Sequence, residues 1–162
     1  MVEHTGMVPD MGVSPTGRVS CICVTRPERF ACLQRAVINF LHQEYEDREL
    51  IILVESDGYA EQVKTFLSLT LPHVMDGVTP MPPIHLYSQP FASHTEAMVH
   101  AMVWSSGEWI CIWDDDNLSH PRRLRRQLKY TTESTATVLT NSLYYFYSSA
   151  ELFVSGFEQP GG

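Results

Sequence analysis

Gly107-Glu108-Trp109-Ile110-Cys111-Ile112-Trp113-Asp114-Asp115-Asp116-Asn117-Leu118-Ser119-His120-Pro121-Arg122-Arg123-Leu124 joins an apolar strand, an acidic turn and the start of a helix in one register. Trp109 to Trp113 is apolar throughout, as a buried strand requires, and Pro121 suits the opening of a helix that runs to Tyr130. Three consecutive aspartates repel one another by about 1 kcal/mol per close pair even in water. A cation removes that repulsion, and hard oxygen ligands favour magnesium or manganese, which commonly bind through one or two carboxylates and substrate phosphates. At the end of an extended strand Asp114 and Asp116 point one way and Asp115 the other. A cation there could hold a diphosphate and stabilise its charge as it leaves. The alternative is an acidic turn that only caps the next helix. Trp113 before the cluster, and His120-Pro121 with an Arg/Leu helix after it, favour the metal site.

Working outward, Val19 to Val24 reads as a buried strand. Thr25 and Glu28 have the spacing of a capping box around Pro27, and Phe30, Leu33, Val37 and Leu41 then fall on one helical face. A second strand, Leu50 to Val54, ends in Glu55-Ser56-Asp57-Gly58, and a helix of roughly Ala60 to Leu69 follows with Val63, Phe66 and Leu67 as its stripe. Pro72 to Pro83 reads as a loop, and Ile84 to Tyr87 as a short strand. Ser93 and Glu96 form a second capping box before a helix to about Trp104, which Gly107 stops. Ala136 to Thr140, Leu143 to Tyr147 and Glu151 to Val154 read as short strands, the last two as a hairpin. Strand alternating with helix implies an α/β fold with a mostly parallel sheet flanked by helices. Ligands bind at the carboxyl ends of such strands, where Glu55/Asp57 and Asp114 to Asp116 cluster.

The bulk properties fit one soluble domain. The chain has 162 residues, 44% of them hydrophobic, and nineteen acidic against eleven basic residues give a formal charge of −8, which argues against a general nucleic-acid coat. Residues 1–17 read as a loose lead-in, without a basic-then-apolar leader, and no apolar run approaches the ~18 residues a membrane span needs. The expected location is the cytoplasm. Cys21 and Cys23 share one strand face and read, with Cys32 and Cys111, as buried reduced thiols.

The aspartate stretch resembles the signature of family-2-like glycosyltransferases, in which Gly-Glu-aromatic leads through an apolar strand to an aspartate cluster, a proline and a leucine. Val19 to Glu28, Arg35-Ala36, Leu41, Gln43 and Tyr45 resemble the same family, as does Glu49 to Val54 with its acidic end. The likeness runs from Val19 to Tyr130 and more faintly into the tail. It implies a Rossmann-like GT-A fold over residues 18–162, a nucleotide-diphosphate sugar as donor, Mn2+ or Mg2+ as cofactor, and transfer with inversion to an unknown acceptor. Carried onto this chain, Thr25 and Arg26 lie near the nucleotide, and either Glu55 or Asp57 holds the base or ribose. Asp114 and Asp115 face the ribose, and Asp114 and Asp116 form the D-x-D metal pair.

Where the family usually carries Tyr-Asn between Thr25 and Arg26 this chain has nothing, and Met98-Val99 stands where many members carry Arg-Asn. Family members place their catalytic base well beyond Tyr130, so the resemblance implies that the full acceptor half is missing and leaves the base unassigned. A non-catalytic nucleotide-sugar-binding subunit, completed by a partner chain or a second copy, is the rival reading. The lack of glycine in Val24 to Pro27 argues against a nucleotidyltransferase. Arg122, Arg123, Arg125, Arg126 and Lys129 make either a solvated helix face or a contact for an anionic acceptor. His85, His94 and His100 lack ligand spacing; His120, near the aspartates, is the exception. The Trp and Tyr groups read as packing, with sugar stacking as the alternative.

Overall fold

The computed structural model describes residues 17–74 and 80–129, and beyond them the backbone of two short strands. Strand β1 (Val19–Thr25) is followed by a 3-10 turn (Pro27–Arg29) and helix α1 (Phe30–Leu41). Then come β2 (Arg48–Val54), α2 (Asp57–Val74), β3 (Ile84–Ser88), α3 (His94–Val103), β4 (Trp109–Ile112) and α4 (Arg123–Lys129). The four strands form one sheet in the order β3-β2-β1-β4, every pair parallel. β5 (Leu143–Tyr147) and β6 (Leu152–Gly156) form an antiparallel hairpin with Tyr147 opposite Leu152, within a separate unit of residues 130–162.

Alternation of side chains along the strands builds two cores. Cys21, Cys23, Leu50, Ile52 and Val54 point to the face covered by Leu33, Val37 and Phe40 of α1, Val63 of α2 and Leu124 of α4. Ile22 and Ile51 point to the other face, where Met98 and Ala101 of α3 cover them. An uninterrupted apolar run in β2 is what a central strand covered on both faces needs. Ile110 and Ile112 of β4, on the α3 side, stay exposed. The four cysteines are free thiols and three of them are buried.

Four local expectations need correction. Thr25 does not cap a helix: it stays in β1, Arg26 takes the cap position with extended backbone and no side-chain bond, and Pro27 opens the 3-10 turn. Helix α2 starts at Asp57: Ser56 caps it, its Oγ accepting from Tyr59 N at 3.4 Å, while its carbonyl accepts the first helical bond from Ala60 N at 3.0 Å. It also runs through Pro72 to Val74, where a loop was expected. The Ser93/Glu96 box forms by half: Glu96 N donates to Ser93 Oγ at 3.1 Å, while the Glu96 carboxylate accepts from Ala92 N instead of Ser93 N. Gly107 is not the stop of α3, which ends at Val103. It lies against β1, where an added Cβ would stand 2.5 Å from Ser20 Oγ and 2.7 Å from the Arg18 carbonyl oxygen. The strand expected at 136–140 lies outside the described residues.

At the amino ends of the strands a polar knot fixes register. Glu49, buried in β2, accepts from Ser20 Oγ at 2.5 Å, Ser106 N at 2.8 Å and Ser106 Oγ at 2.9 Å. Gly107 N donates to Ser20 Oγ at 2.8 Å, so the approach to β4 is tied to both β1 and β2. The carboxyl ends carry the candidate site.

Candidate functional site

Parallel pairing of β1 with β4 continues past β4, where Trp113 N donates to the Ile22 carbonyl at 2.8 Å. Trp113 is buried, donates its indole N–H to the Ala36 carbonyl at 3.0 Å, and meets Phe40 edge-on with ring centroids 6.1 Å apart. The chain leaving the turn is pinned as well: Gln43 donates to the His120 carbonyl at 3.0 Å and accepts from Leu124 N at 3.3 Å. Held on both sides, Asp114-Asp115-Asp116 lies beside the end of β1.

Alternation decides what each aspartate does. Asp115 turns inward, its side chain 4% exposed, and accepts from Thr25 Oγ1 at 2.8 Å. Arg29 reaches it from the 3-10 turn, with Nε 2.9 Å from both carboxylate oxygens and Nη2 also bonded. Asp116 turns outward, 55% exposed, with Arg29 Nη2 2.7 Å from its Oδ2. Exposed Asp114 accepts from Asn117 Nδ2 at 2.8 Å. Hydrogen bonds from Arg29 hold the Asp116 carboxyl below the usual carboxylate range, and the same bonds to Asp115 and Asp116 raise the guanidinium. Beneath the turn, burial pushes the Cys23 thiol up, with Asp115 and Asp114 adding to it.

A cleft of about 480 Å³ opens over this turn. Its lining is Val24, Thr25, Arg26, Glu28 and Arg29, with Phe91 and His94, and Asp114 to Asp116. Four carboxylates against two guanidinium groups leave the lining acidic. A diphosphate cannot lie against such a lining without further positive charge.

Residues 20–157 match the model of a family described as glycosyl transferase family 2. The chain belongs to glycosyl transferase family 2. In fold this family-2 chain is similar to a mannosyltransferase, PcManGT from Pyrobaculum calidifontis, solved in complex with GDP-Man and Mn2+. The match has 21% sequence identity and a TM-score of 0.59, and covers 74% of this chain and 33% of that one. The chain therefore spans about a third of the length of that protein. A comparison with curated proteins gave no match.

Of the residues singled out in the family-2 sequence, Thr25, Arg26, Asp114, Asp115 and Asp116 come together around the cleft. Glu55 and Asp57 are not among its lining residues. Glu55, at the end of β2, pairs with Arg26 at 3.6 Å, and the Arg26 guanidinium stands 5.7 Å from the Phe91 ring centre. Asp57 opens α2, where a carboxylate complements the helix dipole. His120 lies outside the cleft lining; its Nδ1 accepts from Arg122 N at 3.1 Å. The reading of the sequence missed Arg29, Glu28, Phe91 and His94. Arg29 carried one signal, its place on the turn directly after Thr25, but not the fold that lays it on residues far along the chain.

Among the described residues no three His, Cys, Asp or Glu side chains stand together as a cage for a metal. A cation that keeps several waters and takes only one or two protein carboxylates needs no such cage, and Asp114 and Asp116 are the exposed carboxylates of the turn. Asp115 is not one of them, being buried and committed to Thr25 and Arg29. Among the described residues no helix is long and apolar enough to cross a membrane.

Proposed function

We propose that this family-2 chain binds a nucleotide-diphosphate sugar in the aspartate cleft, with Mn2+ or Mg2+, for transfer of the sugar to an acceptor. The observation that carries the reading is the meeting of Asp114 to Asp116 with Thr25 and Arg29 at adjacent strand ends inside a glycosyl transferase family 2 match. Asp114 and Asp116 would hold the metal, which when bound supplies positive charge to the diphosphate as it departs. Asp115 orients the turn through Thr25 and Arg29. Arg26, stacked by Phe91 and paired with Glu55, borders the space for the nucleotide. Glu55 would act on base or ribose binding indirectly, through its pair with Arg26.

The described residues supply the donor side of such a reaction. In a second reading this chain only binds the donor, and a partner chain or a second copy completes the transfer. Isothermal titration with GDP-mannose, the donor named for the neighbour, separates the possibilities when run with and without Mn2+. Binding that needs the metal and vanishes in Asp116→Ala supports the site. Equal affinity in variant and parent with Mn2+ present would sink it. Sugar release or transfer by the purified chain then distinguishes enzyme from binding subunit.

A further inference from the structure

Arg29 touches two aspartates in unequal ways. Its contact with Asp115 has two arms, is charge-assisted, and reaches a carboxylate that is 4% exposed. Its contact with Asp116 is a single 2.7 Å bond to a carboxylate that is 55% exposed. Bidentate pairing with a buried carboxylate is strong, whereas an exposed ion pair contributes little. When one of the two must yield, it is Asp116 that lets go.

We propose that Arg29 is an internal counter-cation that competes with the divalent metal for Asp116 and so sets how tightly the turn takes metal. The proposal rests on the reading that Asp114 and Asp116 form the metal pair. In the structure the one guanidinium is shared between the inward and the outward aspartate. Metal entry separates Arg29 from Asp116, while Asp115 and the 3-10 turn keep the guanidinium in place. The chain thereby holds three adjacent carboxylates without a bound ion, and pays for that stability in metal affinity.

The test is a titration with Mn2+ alone, following the electron paramagnetic resonance signal of the free ion. Parent, Arg29→Gln, the double variant Arg29→Gln/Asp115→Asn and Asp116→Ala are compared. The double variant removes the bridge to Asp116 without changing net charge and keeps an acceptor for Thr25, so it serves even where Arg29→Gln alone fails to fold. Removing a unit charge about 5 Å from a divalent ion in a water-like medium should tighten Mn2+ binding by roughly tenfold in Arg29→Gln. The double variant should shift in the same direction. Unchanged or weaker Mn2+ binding in folded variants, with Asp116→Ala losing the ion, overturns the competition and leaves the metal pair standing. No Mn2+ binding by any of the four proteins overturns both.

Discussion

Replacing Asp115 by alanine should loosen the turn on which the whole cleft rests. Thr25 Oγ1, attached to a residue only 1% exposed, would lose its acceptor, and a buried donor left unsatisfied costs about 1–3 kcal/mol. Arg29 loses less. Its side chain is 41% exposed and keeps Asp116, so solvent screening limits that part to about 1 kcal/mol or below. Together the loss is about 1–4 kcal/mol, or roughly 2–16 °C in Tm at the 2–4 °C per kcal/mol typical of a domain of this size. Asp115→Asn keeps an oxygen for Thr25 and should cost about 1 kcal/mol or less. Urea unfolding followed by circular dichroism measures both. Equal losses in the two variants, or loss of the fold in Asp115→Asn, would show that the ion pair and not the buried hydroxyl holds the turn.

Two further predictions concern the opposite end of the sheet. Burial raises the Glu49 carboxyl, but hydrogen bonds from Ser20 and Ser106, with His85 adding, outweigh it and hold the group below its ordinary range. A carboxyl depressed in the folded state stabilises the protein above the ordinary carboxylate range, about pH 4–5, and that stability is lost as pH falls through the folded value. Unfolding free energy measured from pH 6 downward should fall with acid in the parent and more shallowly in Glu49→Gln; identical slopes would exclude Glu49 as a source. Gly107→Ala should cost about 1–3 kcal/mol, since the new methyl must displace the Arg18 carbonyl or Ser20, and an unchanged Tm would refute the close approach.

The strands were legible because buried parallel strands leave apolar, β-branched runs that need no knowledge of their neighbours. Which strands touch is not written locally. β1 and β4 lie side by side although two strands come between them in the chain, and Arg29 meets Asp115 only for that reason. The aspartates and Thr25 could thus be named as candidates, but not the bond between them, and Thr25 was given to a helix cap instead. Glu55 and Asp57 stood as equals in the sequence. Ser56, capping α2, separates them, leaving Glu55 at the strand end beside Arg26 and drawing Asp57 into the helix. Gly107 showed its absence of a side chain but not the strand it would collide with.

The strand order also fixes when the cleft can come into being. On a ribosome β1 emerges first, and β2 and β3 can pair outward from it while its other edge waits. That edge is closed only by β4, so the contact between Thr25 and Asp115 spans |i−j| = 90 residues. Contacts of such separation are slow to form, because chain entropy must be lost before they return anything. A nascent chain arrested before Trp109 would hold the lining residues from Val24 to His94 and none of the aspartates. The cleft is therefore a property of the closed sheet and of no shorter piece of it.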